Sequence, residues 1–219
     1  MKSGISRRAF MKGAAAGTLG LAAASLFGGV PAAGAEAGVI PAEKAGALTE
    51  EILAPLLVTN GCDPNWARDV LMGIMAPYWV CLAKNETAME SALAQVCQFR
   101  DEIIPKLCAT DGYGLRLCHE MKHKALIAEA KLRASLERRE SRGYHYRTDY
   151  PYRDDENFLC IITLQKNAEG GVDVARVPVK DAWKGDLTAD YKTRYTYYFP
   201  KELETLGLPA EETSGGWGK

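Results

Sequence analysis

The sequence predicts a mainly α-helical protein, in which an antiparallel bundle of three to four helices is followed by an extended loop and a small C-terminal β-hairpin. Apolar residues recur every three or four positions between residues 64 and 139, which is the period of amphipathic helices. The connections between these periodic segments are short, and short connections favour antiparallel neighbours. After residue 157 the pattern changes to the alternation that is typical of strands.

The first 35 residues have the pattern of a cleavable export signal. Arg7 and Arg8 lie in the run Ser-Arg-Arg-Ala-Phe-Met-Lys, and an apolar stretch rich in Ala, Gly and Leu follows over residues 13–30. Ala33-Gly34-Ala35 then supplies the small residues that a signal peptidase reads. We therefore expect residues 1–35 to be a twin-arginine signal, cleaved before Glu36, that sends the folded protein to the periplasm or extracytoplasmic face. A membrane anchor is disfavoured, because the apolar part is rich in Ala and Gly and ends at a processing site.

Composition limits the functions that we expect of the remaining 184 residues. The signal would hold four of the 27 basic residues and none of the 28 acidic ones, which leaves a net charge of −5. An acidic balance argues against nucleic acid as a partner. No other apolar run reaches the roughly 18–20 residues that span a bilayer, so no direct membrane span is expected after cleavage.

The bundle is expected over residues 48–143, after a flexible lead-in of Ala, Gly and Pro at 36–47. A short helix should run from Thr49 to Leu57.

Three long helices should follow within the bundle. Asp63-Pro64 predicts the first start, because Asp caps a helix and Pro is favoured at its first position. Asn85 begins the second, and a charged helix from Leu115 to about Arg139 is the third. Gly143 is expected to end the helical part, since glycine adopts the backbone conformation that terminates helices.

Residues 144–200 should form the extended loop and a hairpin packed on the bundle. The first 12 residues of this segment are aromatic, charged and proline-containing, and strands are predicted at 158–164 and 172–179. A third strand is expected at 191–199, and residues 201–219 form the tail.

His119, Glu120 and His123 match the zinc-binding pattern H-E-x-x-H on the third long helix. Two histidines four positions apart share a helix face and could bind zinc, with the glutamate as general base. The pattern has few fixed positions, Lys122 lies inside it, and His145 is the only other histidine. An exposed helix face is therefore the preferred interpretation, no metal site is assigned, and a zinc-dependent hydrolase remains a minor alternative.

The six cysteines leave the thiol state open. Their spacing contains neither C-x-x-C nor C-x-x-C-H, which argues against iron–sulfur and covalent haem sites. Export would permit disulfides, whereas helical apolar contexts suit free thiols.

The densest group of charged residues lies between Arg139 and Leu159. This segment closely resembles the E-S-R-G-x-H-x-R-x-D-(F/Y)-P-x-R-D-D-E-N-(W/F)-L signature in the C-terminal domain of fumarate reductase and succinate dehydrogenase flavoproteins; L-aspartate oxidase carries a related version. The resemblance covers roughly Thr49 to Tyr198. Near Lys84 the family often has an arginine. The matching positions that we single out are Ser141, Arg142, Gly143, His145, Arg147, Asp149, Pro151, Arg153, Asp154 and Asp155.

The resemblance implies a non-catalytic role for this chain. Flavoproteins of this family bind FAD through a G-x-G-x-x-G turn that is missing from these 219 residues, and their catalytic residues lie in the flavin and capping domains. No catalytic residue is therefore assigned, and FAD is expected in a partner chain rather than here. The expected function is an exported accessory subunit that completes a flavoprotein lacking this domain, in an oxidoreductase of the anaerobic-respiration type.

Two roles are open for the ten singled-out residues. Arginine suits paired contacts with carboxylates and carbonyls, so these residues could form the contact with the partner, or could brace the loop against its own bundle. A free-standing extracytoplasmic binding or scaffold protein is the main alternative for the whole chain.

Overall fold

The computed structural model describes residues 41–168 and 172–209. These residues are mainly helical, with packed helices and a two-stranded antiparallel hairpin towards the C-terminus, which confirms the predicted fold class. The described residues divide into two compact units, the first containing 41–65 and 106–121 and the second containing 66–105, 122–168 and 172–209. The predicted signal at 1–35 and the last part of the predicted tail, 210–219, lie outside the described residues.

The first unit begins with helix α1, Ala42–Leu53, which continues into a 3₁₀ turn at Ala54–Leu56. The prediction of a flexible lead-in was wrong for residues 42–47, because the helix starts seven residues before Thr49. The physical reason is that alanine has the highest helix propensity and that Glu43, in the first turn, complements the helix dipole.

A close backbone approach joins the two segments of the first unit. The Cys62 N–H donates to the Lys106 carbonyl (2.7 Å), and the Cys108 N–H donates to the Cys62 carbonyl (3.0 Å). A side chain at Gly61 would collide with the Lys106 carbonyl oxygen, so only glycine fits there. Helix α5, Gly112–Glu137, begins in this unit, and Asp111 caps it by accepting the Gly114 N–H (2.8 Å).

The second unit contains most of helix α2, Pro64–Met75, the single turn α3, Tyr78–Cys81, and helix α4, Glu86–Gln98. Asn85 caps α4 as predicted, since its side-chain oxygen accepts the Ala88 N–H (2.9 Å). Helix α4 continues as a π-helix and a 3₁₀ turn as far as Lys106. The buried apolar residues of these elements and of the later part of α5 are Ala67, Leu71, Val80, Met89, Ala92, Val96, Phe99, Ala125, Ala128 and Leu132. Their spacing of three and four is the one on which the helical prediction rests.

Two short strands support the region of interest. Strand β1, Ala83–Lys84, pairs in parallel with β2, Tyr146–Arg147, which places Ala83 opposite Tyr146 and Lys84 opposite Arg147. This pairing anchors the loop that follows α5 beside the start of α4.

The predicted hairpin is confirmed as strands β3, Cys160–Lys166, and β4, Val172–Pro178, with Ile162 opposite Arg176. Its first strand begins two residues later than expected, because a helical turn α6, Asp155–Phe158, precedes it. Arg176 donates to Glu137 (2.7 Å) and lies over the Phe158 ring, so contacts tie the hairpin to the end of α5.

The prediction of a third strand at 191–199 was wrong. Residues Tyr191–Arg194 form a helical turn, α7, because Asp190 caps it by accepting the Lys192 N–H (3.0 Å). A further turn, α8, Glu202–Thr205, lies in the predicted tail, and a 3₁₀ turn covers Asp181–Trp183. Among residues 41–168 and 172–209, no helix is both long and apolar enough to cross a bilayer.

Candidate functional site

The loop that follows α5 is organised around Ser141, whose side chain is fully buried in the second unit. Its hydroxyl accepts the Arg147 N–H (2.9 Å) and donates to the Tyr150 carbonyl (2.8 Å), while its own N–H donates to the Tyr152 carbonyl (2.8 Å). A small residue with both a donor and an acceptor can join three backbone segments in a space closed to water. The serine therefore fixes the course of the loop.

Arg147 is fully buried and binds Asp149 in a bidentate pair, with distances of 2.7 and 2.6 Å. It also donates to the Ser135 carbonyl of α5 (3.0 Å), and Asp149 accepts the Glu86 N–H at the start of α4 (2.9 Å). Burial opposes ionisation of Asp149, but the hydrogen bonds and charge of Arg147 outweigh it and lower the pKa of this carboxyl. One ion pair thus braces the loop against two helices.

Glu140 is the buried acceptor of a second network. It accepts from Arg138 (2.5 Å), from Arg142 (2.8 Å) and from the Asp154 N–H (2.9 Å). Arg138 also donates to the Phe158 carbonyl (2.8 Å). The network therefore joins the end of α5 to the residues before the hairpin.

Asp155 extends this network towards the C-terminal segment. Arg142 donates to it (2.6 Å), and Arg194 and the Tyr195 hydroxyl contact it as well. Burial opposes ionisation of Asp155, yet the hydrogen bonds from Tyr195 and Arg142 lower its pKa. Asp154, beside it, caps α6 by accepting the Asn157 N–H (3.0 Å).

Arg153 lies in a cage formed by Glu202 and three aromatic rings, and this cage joins the C-terminal segment to the loop. Its guanidinium binds both carboxylate oxygens of Glu202 (2.8 and 2.9 Å), and Glu202 also accepts the Phe199 N–H (2.7 Å). The rings of Tyr195, Tyr197 and Phe199 lie 4.2, 4.7 and 4.8 Å from the guanidinium carbon. Arg153 Nη2 is buried without a hydrogen bond in the described structure, and these ring faces stabilise its charge instead.

Lys84 and His145 form a further contact of this loop. The Lys84 Nζ lies 3.2 Å from His145 Nδ1, and His145 Nε2 lies 3.2 Å from the Arg138 carbonyl. We assign the tautomer from this geometry: Nε2–H donates to the carbonyl and Nδ1 accepts from lysine. Burial, reinforced by the charge of Lys84, lowers the pKa of His145 to about 4. Burial and the nearby Lys131 likewise lower the pKa of Lys84.

Some of the predicted site residues are buried and others are exposed. Ser141, Arg147, Pro151 and Arg153 are buried, whereas Gly143 is exposed with a positive φ of 59° in the turn that Arg142 and His145 close. The structure joins Arg142 to Asp155 and Arg147 to Asp149, but brings neither His145 nor Asp154 to a carboxylate–arginine pair. Sequence reasoning missed Lys84, Arg138, Glu140 and Glu202 as members. Glu140 was visible within the signature itself, while nothing in the local sequence marked Glu202.

Two cavities adjoin these networks, with volumes of about 420 and 470 Å³. Asp155, Leu187 and Arg194 line both of them. Since the Asp155 carboxylate already accepts hydrogen bonds from Arg142 and Arg194, we assign it a structural role in this chain.

The H-E-x-x-H residues do not converge on a metal site. The His119 Nε2 lies 2.8 Å from the Ile52 carbonyl within the first unit. Within the part of the chain that the structure describes, no group of three His, Cys, Asp or Glu side chains could hold a metal ion.

The described residues do not fit FAD. A dinucleotide site needs a glycine-rich turn between a strand and a helix of a parallel sheet. Parallel pairing within residues 41–168 and 172–209 is limited to the two-residue contact between β1 and β2 and to an isolated bridge between Cys62 and Leu107.

The contacts define a helical domain whose arginine-rich loop is held by buried ion pairs. The family described as fumarate reductase flavoprotein C-term matches residues 69–194, more than half of the chain. The chain belongs to this family, whose matched region is the C-terminal domain rather than the FAD-binding one.

Curated relatives agree over shorter stretches. The chain is 43% identical over 53 residues to the fumarate reductase flavoprotein subunit of Mycobacterium tuberculosis, covering 24% of this chain and 9% of the relative. It is 30% identical over 90 residues to the corresponding subunit of Haemophilus influenzae, covering 41% and 14%. The matches therefore span about a tenth to a seventh of those relatives' length.

Solved structures share the fold. A quinol–fumarate reductase with menaquinol molecules matches with a TM-score of 0.60 and 22% identity, covering 70% of this chain and 28% of that one. The Sdh1 complex of Mycobacterium smegmatis in the apo form matches with a TM-score of 0.59 and 22% identity, covering 78% and 30%.

Proposed function

We propose that this chain is an exported accessory subunit that supplies the C-terminal domain to an FAD-bearing partner of the fumarate reductase type. The observation that carries the proposal is the family match over residues 69–194. The FAD-bearing part with which such a domain would work lies outside these 219 residues, which contain no G-x-G-x-x-G turn. The partner would bind FAD and reduce a fumarate-like or other unsaturated acceptor.

The role of this chain in such a complex is binding and support. The buried ion pairs of Arg147 and Arg153 hold the loop in one conformation, and this supports a preformed docking surface. Preorganisation reduces the entropy lost on association. The ten signature residues would act through this rigid loop, either at the contact or directly beneath it.

Native purification tests the proposed association. The tagged full-length chain would be expressed in its own host, purified gently, scanned for flavin absorbance and analysed by mass spectrometry. We expect a yellow complex that contains a larger flavoprotein. An unrelated exported protein with the same signal and tag is the control, and a colourless chain recovered by itself would refute the accessory-subunit role.

Export is tested separately, and the paired arginines support it. Arg7→Lys combined with Arg8→Lys should retain the chain in the cytoplasm, whereas Lys2→Arg should leave export unchanged. Cell fractionation and the mass of the exported protein, expected to begin at Glu36, give the readout. Unchanged export of the double variant would exclude the twin-arginine route.

A further inference from the structure

Lys84 differs from every other buried charged side chain that the structure describes. The side chains of Glu129, Glu140, Arg147, Arg153 and Glu202 are also buried, and each forms an ion pair with an opposite charge. Lys84 is only 6% exposed, and within residues 41–168 and 172–209 it forms no ion pair. Its one side-chain hydrogen bond is to a nitrogen of His145.

Two cations lie close enough to Lys84 to disfavour its charge. Lys131 and Arg147 act electrostatically to lower the pKa of Lys84, whereas the Cys81 thiol acts in the opposite direction. The Asp149 carboxylate is bonded to Arg147. A buried charge is stable only when it is paired, and removal from water without a counterion costs several kcal/mol. An added carboxylate at this position would therefore be stabilised.

Large exposed apolar side chains lie close to Lys84 along the chain. Tyr78, Trp79 and Leu82 precede it within six residues and are 56%, 52% and 62% exposed. Tyr144, which is 95% exposed, adjoins His145. Because β1 and β2 pair in parallel register, the turn α3 lies beside the loop that carries this tyrosine. The centre of a protein interface is typically rich in Tyr and Trp and closed to water, and exposed Tyr and Trp near a desolvated charge match this composition.

We infer that Lys84, His145 and the surrounding side chains of Tyr78, Trp79, Leu82 and Tyr144 form a docking surface for the FAD-bearing partner, which inserts an Asp or Glu carboxylate against the Lys84 ammonium. This inference rests on the proposed function. His145 holds the ammonium in position through Nδ1, and the apolar side chains exclude water from the new ion pair. The surface thus selects a segment with one acidic residue between apolar ones.

Zero-length crosslinking with a carbodiimide tests the contact directly, because it joins an amine only to a carboxylate in contact with it. The native complex of the full chain would be crosslinked, digested and sequenced by mass spectrometry. We expect an amide between Lys84 and an Asp or Glu of the flavoprotein. A crosslink from Lys84 to Glu211 or Glu212 of this chain, or to a second copy, would overturn the inference by naming a different occupant.

Variants add a quantitative test on the same complex. Lys84→Gln should weaken association about 30-fold or more, since truncating one member of a buried charge pair has at least that effect. Lys84→Arg should restore most of the affinity, and Lys166→Gln, at an exposed hairpin position, should change it less than twofold. Circular dichroism establishes that each variant is folded.

The two proposals fail differently. Recovery of the chain without a flavoprotein removes the accessory-subunit role and this docking surface with it. Recovery of a flavoprotein whose affinity is unaffected by Lys84→Gln, with crosslinks only to other lysines, leaves that role standing and overturns the docking surface alone.

Discussion

Arg153 and Lys84 are both basic side chains withdrawn from solvent in the second unit, but their surroundings differ. Arg153 has the two oxygens of Glu202 and three aromatic ring faces in place of water. Lys84 has one nitrogen of His145, and the charges of Lys131 and Arg147 act against its own. A fully compensated charge stabilises the fold of its own chain, whereas an uncompensated one leaves a position that another molecule can complete.

Glu202→Gln should have the largest effect on stability. It would leave Arg153 as a buried cation without a counterion, and breaking a buried pair in this way costs about 3–5 kcal/mol. Chemical denaturation gives the free energy of unfolding. Glu204→Gln, at an exposed position of the same helical turn, is the matched control. Equal, small losses for both variants would show that the Arg153 cage does not stabilise the fold.

Stability should fall between pH 6.5 and pH 4 because of His145. The pKa of His145 is lowered to about 4 in the folded chain, so the unfolded state binds more protons in this window. The contribution of His145 to the free energy of unfolding is complete when the pH is above the pKa of this residue in the unfolded state. It is lost as the pH falls through the pKa in the folded state, and its maximum is about 3 kcal/mol.

Thermal unfolding across this range measures the effect. His145→Gln should flatten the pH dependence, and His123→Gln, at an exposed position, should leave it as in the unaltered chain. Identical profiles for all three proteins would contradict the assigned contact with Lys84.

Lys84→Met should change the free energy of unfolding of the free chain by less than about 1 kcal/mol. This is a much smaller effect than the one expected of Glu202→Gln. The variant loses one hydrogen bond, with a net contribution of about 1 kcal/mol, but also removes an uncompensated buried cation. Denaturation of the purified chain provides the value. A loss of several kcal/mol would mean that Lys84 is already fully paired within the chain.

Arg116→Gln should have the smallest effect. Arg116 pairs with Glu120 on the surface of α5, with side chains 57% and 35% exposed. Exposed pairs four residues apart on a helix contribute about 0.3–0.5 kcal/mol. A loss above 1 kcal/mol would show that exposure is a poor guide to the strength of ion pairs in this protein.

The sequence predicted the helices, the hairpin and the family segment well, because each depends on short-range patterns. Asn85 caps α4, and Ala92 and Val96 lie on its buried side, as helical spacing requires. The start of α1 at Ala42 was missed, since alanine and glycine in one segment were interpreted as a flexible lead-in. The third strand was also wrong, because the aromatic residues at 191–199 surround Arg153 instead of alternating in a sheet.

By itself, the sequence determined the fold class, the family and the presence of a dense charged segment, since periodicity, caps and a local signature are properties of neighbouring residues. Only the tertiary structure decided which charges are paired. Arg153 and Glu202 are separated by 49 positions, and Lys84 and His145 by 61, so no local pattern links them. Whether a buried cation is compensated depends on which distant groups the packing brings within a few ångströms, because burial removes the water that would otherwise stabilise it.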